Sequence, residues 1–251
     1  MSTNFVRNSF FPYIALIAVF YVQSSGFAKF HNNGYAYWKV LPVTTLGVLL
    51  YYGATTIRER ERRLHAFGLL FGAIGDFLIG HFEHNGLVTG AIAFGIGHMF
   101  YLASFVRRLQ KPTYALVGGI VTYGIILNHF CLMPQLGTHP INTSILLVYS
   151  LLLSSCVVIS GSMYIEGTTD QPPNAKENLV RFIGFGIFAI SDSSLLLDHV
   201  GYWVPYAELV VLTTYFTAQF VIMWSACLTL PGKKVASIRS HITPNLRRKI
   251  A

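Results

Sequence analysis

The sequence predicts an all-α fold, a polytopic membrane bundle of eight transmembrane helices with both termini cytosolic. Three observations carry that expectation. First, 53% of the 251 residues are hydrophobic and only 11% are charged, against about 25% charged in soluble domains; the mean hydropathy is +0.52. Second, apolar stretches close to the ~20 residues that span hydrocarbon fall at about 10–28, 38–57, 64–82, 86–106, 113–132, 142–165, 179–200 and 204–230. Third, the connections alternate in charge. Arg7, the loop with Arg58, Arg60, Arg62 and Arg63, the group Arg107, Arg108 and Lys111, the pair Lys176 and Arg181, and the C-terminal segment hold 16 of the 18 Lys and Arg, leaving Lys29 and Lys39 opposite. Basic residues collect on the cytosolic side of membrane proteins, so a missing or added helix would scramble this alternation.

The expected organisation is a cytosolic N-terminus at 1–9, one transmembrane domain at 10–230 and a basic cytosolic tail at 231–251. The tail carries six Lys or Arg and no acid, as expected beside anionic headgroups. Its ending, Arg248-Lys249-Ile250-Ala251, loosely resembles a dibasic signal for retrieval to the endoplasmic reticulum. The net charge of +8 therefore reads as membrane orientation, and no nucleic acid partner is expected.

The first span lacks a small-residue cleavage site and reads as a retained helix. The second opens with Trp38-Lys39-Val40-Leu41-Pro42, placing a cation just inside the non-cytosolic edge, from which it can snorkel to the interface. The third, GLLFGAIGDFLIG, carries Asp76. The fourth, GAIAFGIGHMFYLASF, places His98 and Tyr101 on one helical face. Cys131, Cys156 and Cys227 are scattered through apolar runs with no Cys-x-x-Cys spacing and read as buried filler. A glycosylation sequon, Asn142-Thr143-Ser144, abuts the sixth span, which limits access to it. The seventh span, GFGIFAISDSSLLL, carries Asp192, and the eighth holds Tyr215, Thr217 and Gln219 in TYFTAQF.

Asp76 and Asp192 are the anomaly. An ionisable group at that depth costs at least ~2.5–3.5 kcal/mol on insertion scales, and so is rare without a task. The two stand in matching phrases, Ala73-Ile74-Gly75-Asp76 and Ala189-Ile190-Ser191-Asp192, 116 residues apart, with Gly68 matching Gly184 at the same offset. Both helices run in the same direction, and each Asp lies about 12 residues in, or ~18 Å, just past the midplane. Two poorly solvated acids at one depth repel each other, so one is expected to keep its proton and act as an acid beside its ionised neighbour. Zinc held by Asp76, His98, Asp192 and His199 is the metal alternative, but no His-x-x-x-His pair supports it.

Five motifs, Lys39-x-x-Pro42, Gly68-Leu69-Leu70-Phe71 with Gly75-Asp76, Gly97-His98-x-x-Tyr101, Phe188-x-x-Ser191-Asp192 and Tyr215-x-x-Ala218-Gln219, together resemble the YhhN-like lysoplasmalogenase family of integral membrane proteins over about residues 10–230. The resemblance implies eight spans, residence in the endoplasmic reticulum membrane, and hydrolysis of the vinyl ether bond of lysoplasmalogens to a fatty aldehyde and a glycerophospho-base. It implies Asp76 and Asp192 as the catalytic pair and Lys39, His98, Tyr101, Tyr215 and Gln219 as substrate-positioning groups, Lys39 toward the phosphate. The reaction needs no metal or organic cofactor. The expected partners are the lysophospholipid substrate and membrane lipids, and an oligomer is compatible with the sequence. Three readings of other classes stay open: a proton-coupled transporter, which broken Asp-bearing helices would favour; a metal-dependent membrane lipid amidase; and a non-catalytic lipid-binding protein.

Overall fold

The computed structural model describes residues 2–28, 34–55, 57–82 and 85–228, and within them each apolar run forms a helix. These are α1 (Ser2–Gln23), α2 (Tyr35–Gly53), α3 (Glu59–His81), α4 (Gly86–Phe105), α5 (Tyr114–Cys131), α6 (Pro140–Glu166), α7 (Lys176–His199) and α8 (Ala207–Leu228). Short 3₁₀ turns follow α4 and α5. Lys29 and the tail at 231–251, including its dibasic ending, lie outside the described residues.

Seven of the helices are long and apolar enough to cross a membrane. The exception is α2, whose first half carries Tyr35, Tyr37, Trp38, Lys39 and Pro42. It nonetheless lies between α1 and α3 and packs on both. Several helices start earlier than hydropathy suggests. α1 begins at Ser2, not 10, so residues 2–9 are helical. α3 begins at Glu59, not 64, because Glu59 and Glu61 in the first turn suit the positive end of the helix dipole.

These starts move the aspartates. Asp76 lies 17 residues after the start of α3 and Asp192 lies 16 after the start of α7, or ~25 Å along each axis. They keep a common register and sit in the last third of their helices. Asn142 of the sequon falls in the first turn of α6, beside the buried Thr143.

The packing is a ring. α2 packs on α3, α3 on α4, α4 on α6, α6 on α7, and α7 on α8, while α8 closes the circle against α1, α2 and α3. Inside it lies an aromatic-rich core that includes Phe20, Phe105, Phe185, Phe188 and Phe216. α5 stands outside the ring against α6, and Cys131 is its one buried residue. Its outer face, including Val121, Ile125 and Phe130, is exposed, as lipid-facing positions require. Pro12 and Pro42 lie inside α1 and α2, whereas α3 and α7 run without a Pro.

Candidate active site

Asp76 is completely enclosed. One carboxylate oxygen lies 3.2 Å from Lys39 Nζ, and the other accepts a 2.6 Å hydrogen bond from the Tyr215 hydroxyl. The chain continues as Gln219 Nε2 donates to the Tyr215 oxygen at 3.1 Å and Tyr101 donates to Gln219 Oε1 at 3.0 Å. Lys39, Asp76, Tyr215, Gln219 and Tyr101 thus form one hydrogen-bonded string contributed by α2, α3, α8 and α4. Lys39 is 6% exposed, which rules out the snorkelling orientation: its ammonium is spent on the carboxylate.

The glycines of α3 make room for this string. A Cβ at Gly72 would lie 2.9 Å from Gln219 Nε2, and one at Gly68 would lie 2.4 Å from the Tyr101 ring. The phrase Gly68-x-x-x-Gly72-x-x-Gly75 therefore lets α4 and α8 set polar side chains directly against the α3 backbone, the usual use of small residues between membrane helices.

Asp192 has different surroundings. It lines an apolar cleft of about 110 Å³ bounded by α3–α7. Its carboxylate accepts a short hydrogen bond from the Tyr149 hydroxyl of α6. Among the described residues no cation is within ion-pair distance of it, in contrast to Asp76. Tyr149, Ser150, Ser154, Ser193 and Asn128 add a polar stripe to walls otherwise built from residues such as Leu87, Leu127 and Leu146.

The two carboxylates thus belong to adjoining compartments. Asp76 is absent from the cleft wall, and Phe94 belongs to both surroundings. Phe94 lines the cleft, presses on Gly75 next to Asp76 and lies 5.8 Å from the Tyr215 ring. His98 also lies between them. Its Nδ1 is 2.7 Å from the Phe94 carbonyl, and its ring stands 6.0 Å from Tyr101 and 5.6 Å from Tyr149. Its buried Nε2 has no hydrogen-bond partner among the described residues. Of the expected positioning groups, Lys39, Tyr215, Gln219 and Tyr101 gather on Asp76, while His98 bonds to neither acid. The alternative metal set does not gather: no three His, Cys, Asp or Glu side chains among the described residues are placed to share an ion.

Tyr149 and Phe94 went unread in the sequence. A tyrosine in an apolar run is ordinarily a packing residue; the one available signal was that Tyr149 lies nine residues into its span, at a depth matching Asp192. A second omission is at the opposite end of the bundle. Arg108 and Arg181, counted above among loop charges, are 7% and 0% exposed. Arg108 pairs with Glu61 at 2.9 Å and with Glu177 at 2.6 Å, and Arg181 reaches Glu177 at 3.5 Å while donating to Asn178 Oδ1 at 3.0 Å. α3, α4 and α7 are tied there by buried charge.

Lysoplasmalogenase TMEM86A of Bos taurus is 28% identical over 198 residues, 75% of this chain and 76% of its own length. Lysoplasmalogenase TMEM86B of Mus musculus is 28% identical over 169 residues, 66% of this chain and 64% of its own length. Lysoplasmalogenase TMEM86A of Homo sapiens is 25% identical over 195 residues, 75% of this chain and 76% of its own length. No solved structure matches. The YhhN family profile matches residues 34–226, which takes in Lys39, both aspartates, His98, Tyr149 and Gln219. With more than half its length so matched, this chain is a member of the YhhN family.

Proposed function

We propose that the chain is a membrane hydrolase that cleaves the vinyl ether bond of lysoplasmalogens, with Asp192 as the proton donor and Asp76 as the ionised partner. The observation that carries this reading is the asymmetry between the acids. Asp76 has both oxygens engaged, one by a cation and one by a hydroxyl. Asp192 has one hydroxyl partner and faces an apolar cleft. The names of the curated relatives support the substrate class.

A vinyl ether breaks when a proton adds to the alkene carbon that does not bear oxygen. The Asp192 carboxyl delivers that proton, general-acid catalysis worth about 10²–10⁴-fold. The resulting oxocarbenium ion is favoured by the carboxylate left on Asp192 and by the fixed negative charge of Asp76. Water then adds to the cationic carbon, its proton returning to Asp192, and the hemiacetal collapses to a fatty aldehyde and the glycerophospho-alcohol. The Tyr149 hydroxyl holds Asp192 in place throughout. Lys39, buried against Asp76, fixes that charge instead of meeting the substrate phosphate.

The finer topology belongs to the same reading. Eight spans with both termini cytosolic follow from the 16 of 18 basic residues that sequence places on one side. Residence in the endoplasmic reticulum follows from the family resemblance.

The test is purified protein in micelles with an alkenyl lysophospholipid in D₂O. Released aldehyde, trapped by reduction, should carry one deuterium on the carbon next to the carbonyl. No aldehyde, or aldehyde without deuterium, refutes the proposal.

A further inference from the structure

The α5–α6 interface is not a sealed helix contact. On its outer side runs a second groove of about 390 Å³ that shares Ile120, Gly124, Asn128, Ser150 and Ser154 with the Asp192 cleft. The two spaces thus lie on either side of one α5–α6 seam, and the shared residues frame it. Ile125 and Leu151, on the outer groove wall, are 64% and 67% exposed; on an apolar span these positions face hydrocarbon.

Small residues usually pull membrane helices together, yet a Cβ added at Gly118, Gly119 or Gly124 of α5 would meet nothing within 4 Å. Among the described residues, two side-chain hydrogen bonds hold α5 to its neighbours within the cleft walls. Asn128 Nδ2 donates to Ser150 Oγ at 3.1 Å across the seam, and Tyr123 donates to Ser193 Oγ, next to Asp192, at 2.6 Å. Asn128 Oδ1 is buried with no hydrogen-bond partner among the described residues, an acceptor left free within the frame.

We infer that this seam is a lateral portal and binding site for one hydrocarbon chain of a single-chain phospholipid, which reaches Asp192 directly from the bilayer. The occupant follows from two features. The outer groove is walled mainly by apolar residues and is continuous with the lipid-facing surface. The unpaired Asn128 oxygen is placed to accept from a free glycerol hydroxyl, which a lysolipid has and a two-chain phosphatidylcholine lacks. The inference rests on the hydrolase reading only for the identity of the bond brought to Asp192.

The experiment uses a lysophosphatidylcholine carrying a diazirine on its chain, photolysed with the full-length protein in liposomes, with cross-links mapped by mass spectrometry. Label should fall on peptides containing residues 120–128 and 147–154. Gly124→Phe, whose ring would enter empty space, should lower that labelling at least tenfold, while Gly124→Ala keeps it. A two-chain phosphatidylcholine with the same diazirine should label these peptides at least tenfold less. Unchanged labelling in Gly124→Phe, equal labelling by the two-chain lipid, or label confined to other helices overturns the portal. The hydrolase proposal fails separately: cleft labelling without aldehyde release would sink that reading and leave this site standing.

Discussion

Replacing each aspartate by asparagine should produce two different failures, and the difference follows from what each carboxylate touches. In Asp76→Asn the Lys39 ammonium, with 8% of its side chain exposed, loses its counter-charge at 3.2 Å. Removing one partner of a buried pair costs about 3–5 kcal/mol because the other charge is stranded. The amide oxygen can still accept from Tyr215, so most of that loss is electrostatic. In Asp192→Asn no stranded cation results, and an amide oxygen can still accept from Tyr149; the expected stability change is about 1 kcal/mol, that of one altered hydrogen bond. Activity should fall by about 10²–10⁴-fold, since an amide carries no transferable proton, equivalent to about 3–5.5 kcal/mol of barrier. Thermal unfolding in micelles and aldehyde release measure the two effects on the same preparations. Adding Lys39→Met to Asp76→Asn should restore most of the lost stability. The reasoning is refuted if Asp192→Asn unfolds as readily as Asp76→Asn, if it retains full activity, or if the double variant is no more stable than Asp76→Asn alone.

Tyr149→Phe should lower the rate of aldehyde release about tenfold, the worth of one hydrogen bond to an ionisable group, with little change in unfolding temperature. Gly68→Ala drives a methyl to 2.4 Å from the Tyr101 ring and should destabilise by about 1–3 kcal/mol, whereas Gly118→Ala, with nothing within 4 Å, should be neutral or slightly stabilising through helix propensity; differential scanning of the pair separates the two. Glu177→Gln leaves Arg108 and Arg181 facing Glu61 alone and should cost about 3–5 kcal/mol, read as a lowered unfolding midpoint with unchanged KM in whatever fraction remains folded.

Hydropathy made the helices legible because lipid-facing positions cannot carry charge, and the same logic marked Asp76 and Asp192. It misjudged helix starts for a related reason. The charged turn at Glu59–Arg63 is helical yet polar, so a transfer scale ends the element where the lipid ends. Counting Arg108 and Arg181 as loop charges failed because a charge near a span end can face water or a buried carboxylate, and Glu61 and Glu177 lie 47 and 69 residues from Arg108 along the chain. Tyr215 and Gln219 were legible as polar groups at depth, but their joining through Asp76 was not, since it depends on α8 closing against α3. The cleft left no sequence signal at all. It exists because α5 stands away from the ring, and nothing in the composition of α5 distinguishes a loosely held span from a tightly packed one.

The Lys39–Asp76 pair has a consequence for how the chain is built. Both residues lie on one hairpin, α2 and α3, made before any other part of the site. The acid can therefore leave the translocation machinery already neutralised by the helix that preceded it, and the hairpin can partition into lipid as a unit with no net charge in its interior. Asp192 has no such companion; its phenol donor arrives on α6, one helix ahead, and brings no charge. The two acids thus differ in how they can be brought into the membrane. One can be carried in as half of an ion pair during synthesis, whereas the other must cross as an uncharged acid, the same protonated form in which it would serve as a proton donor.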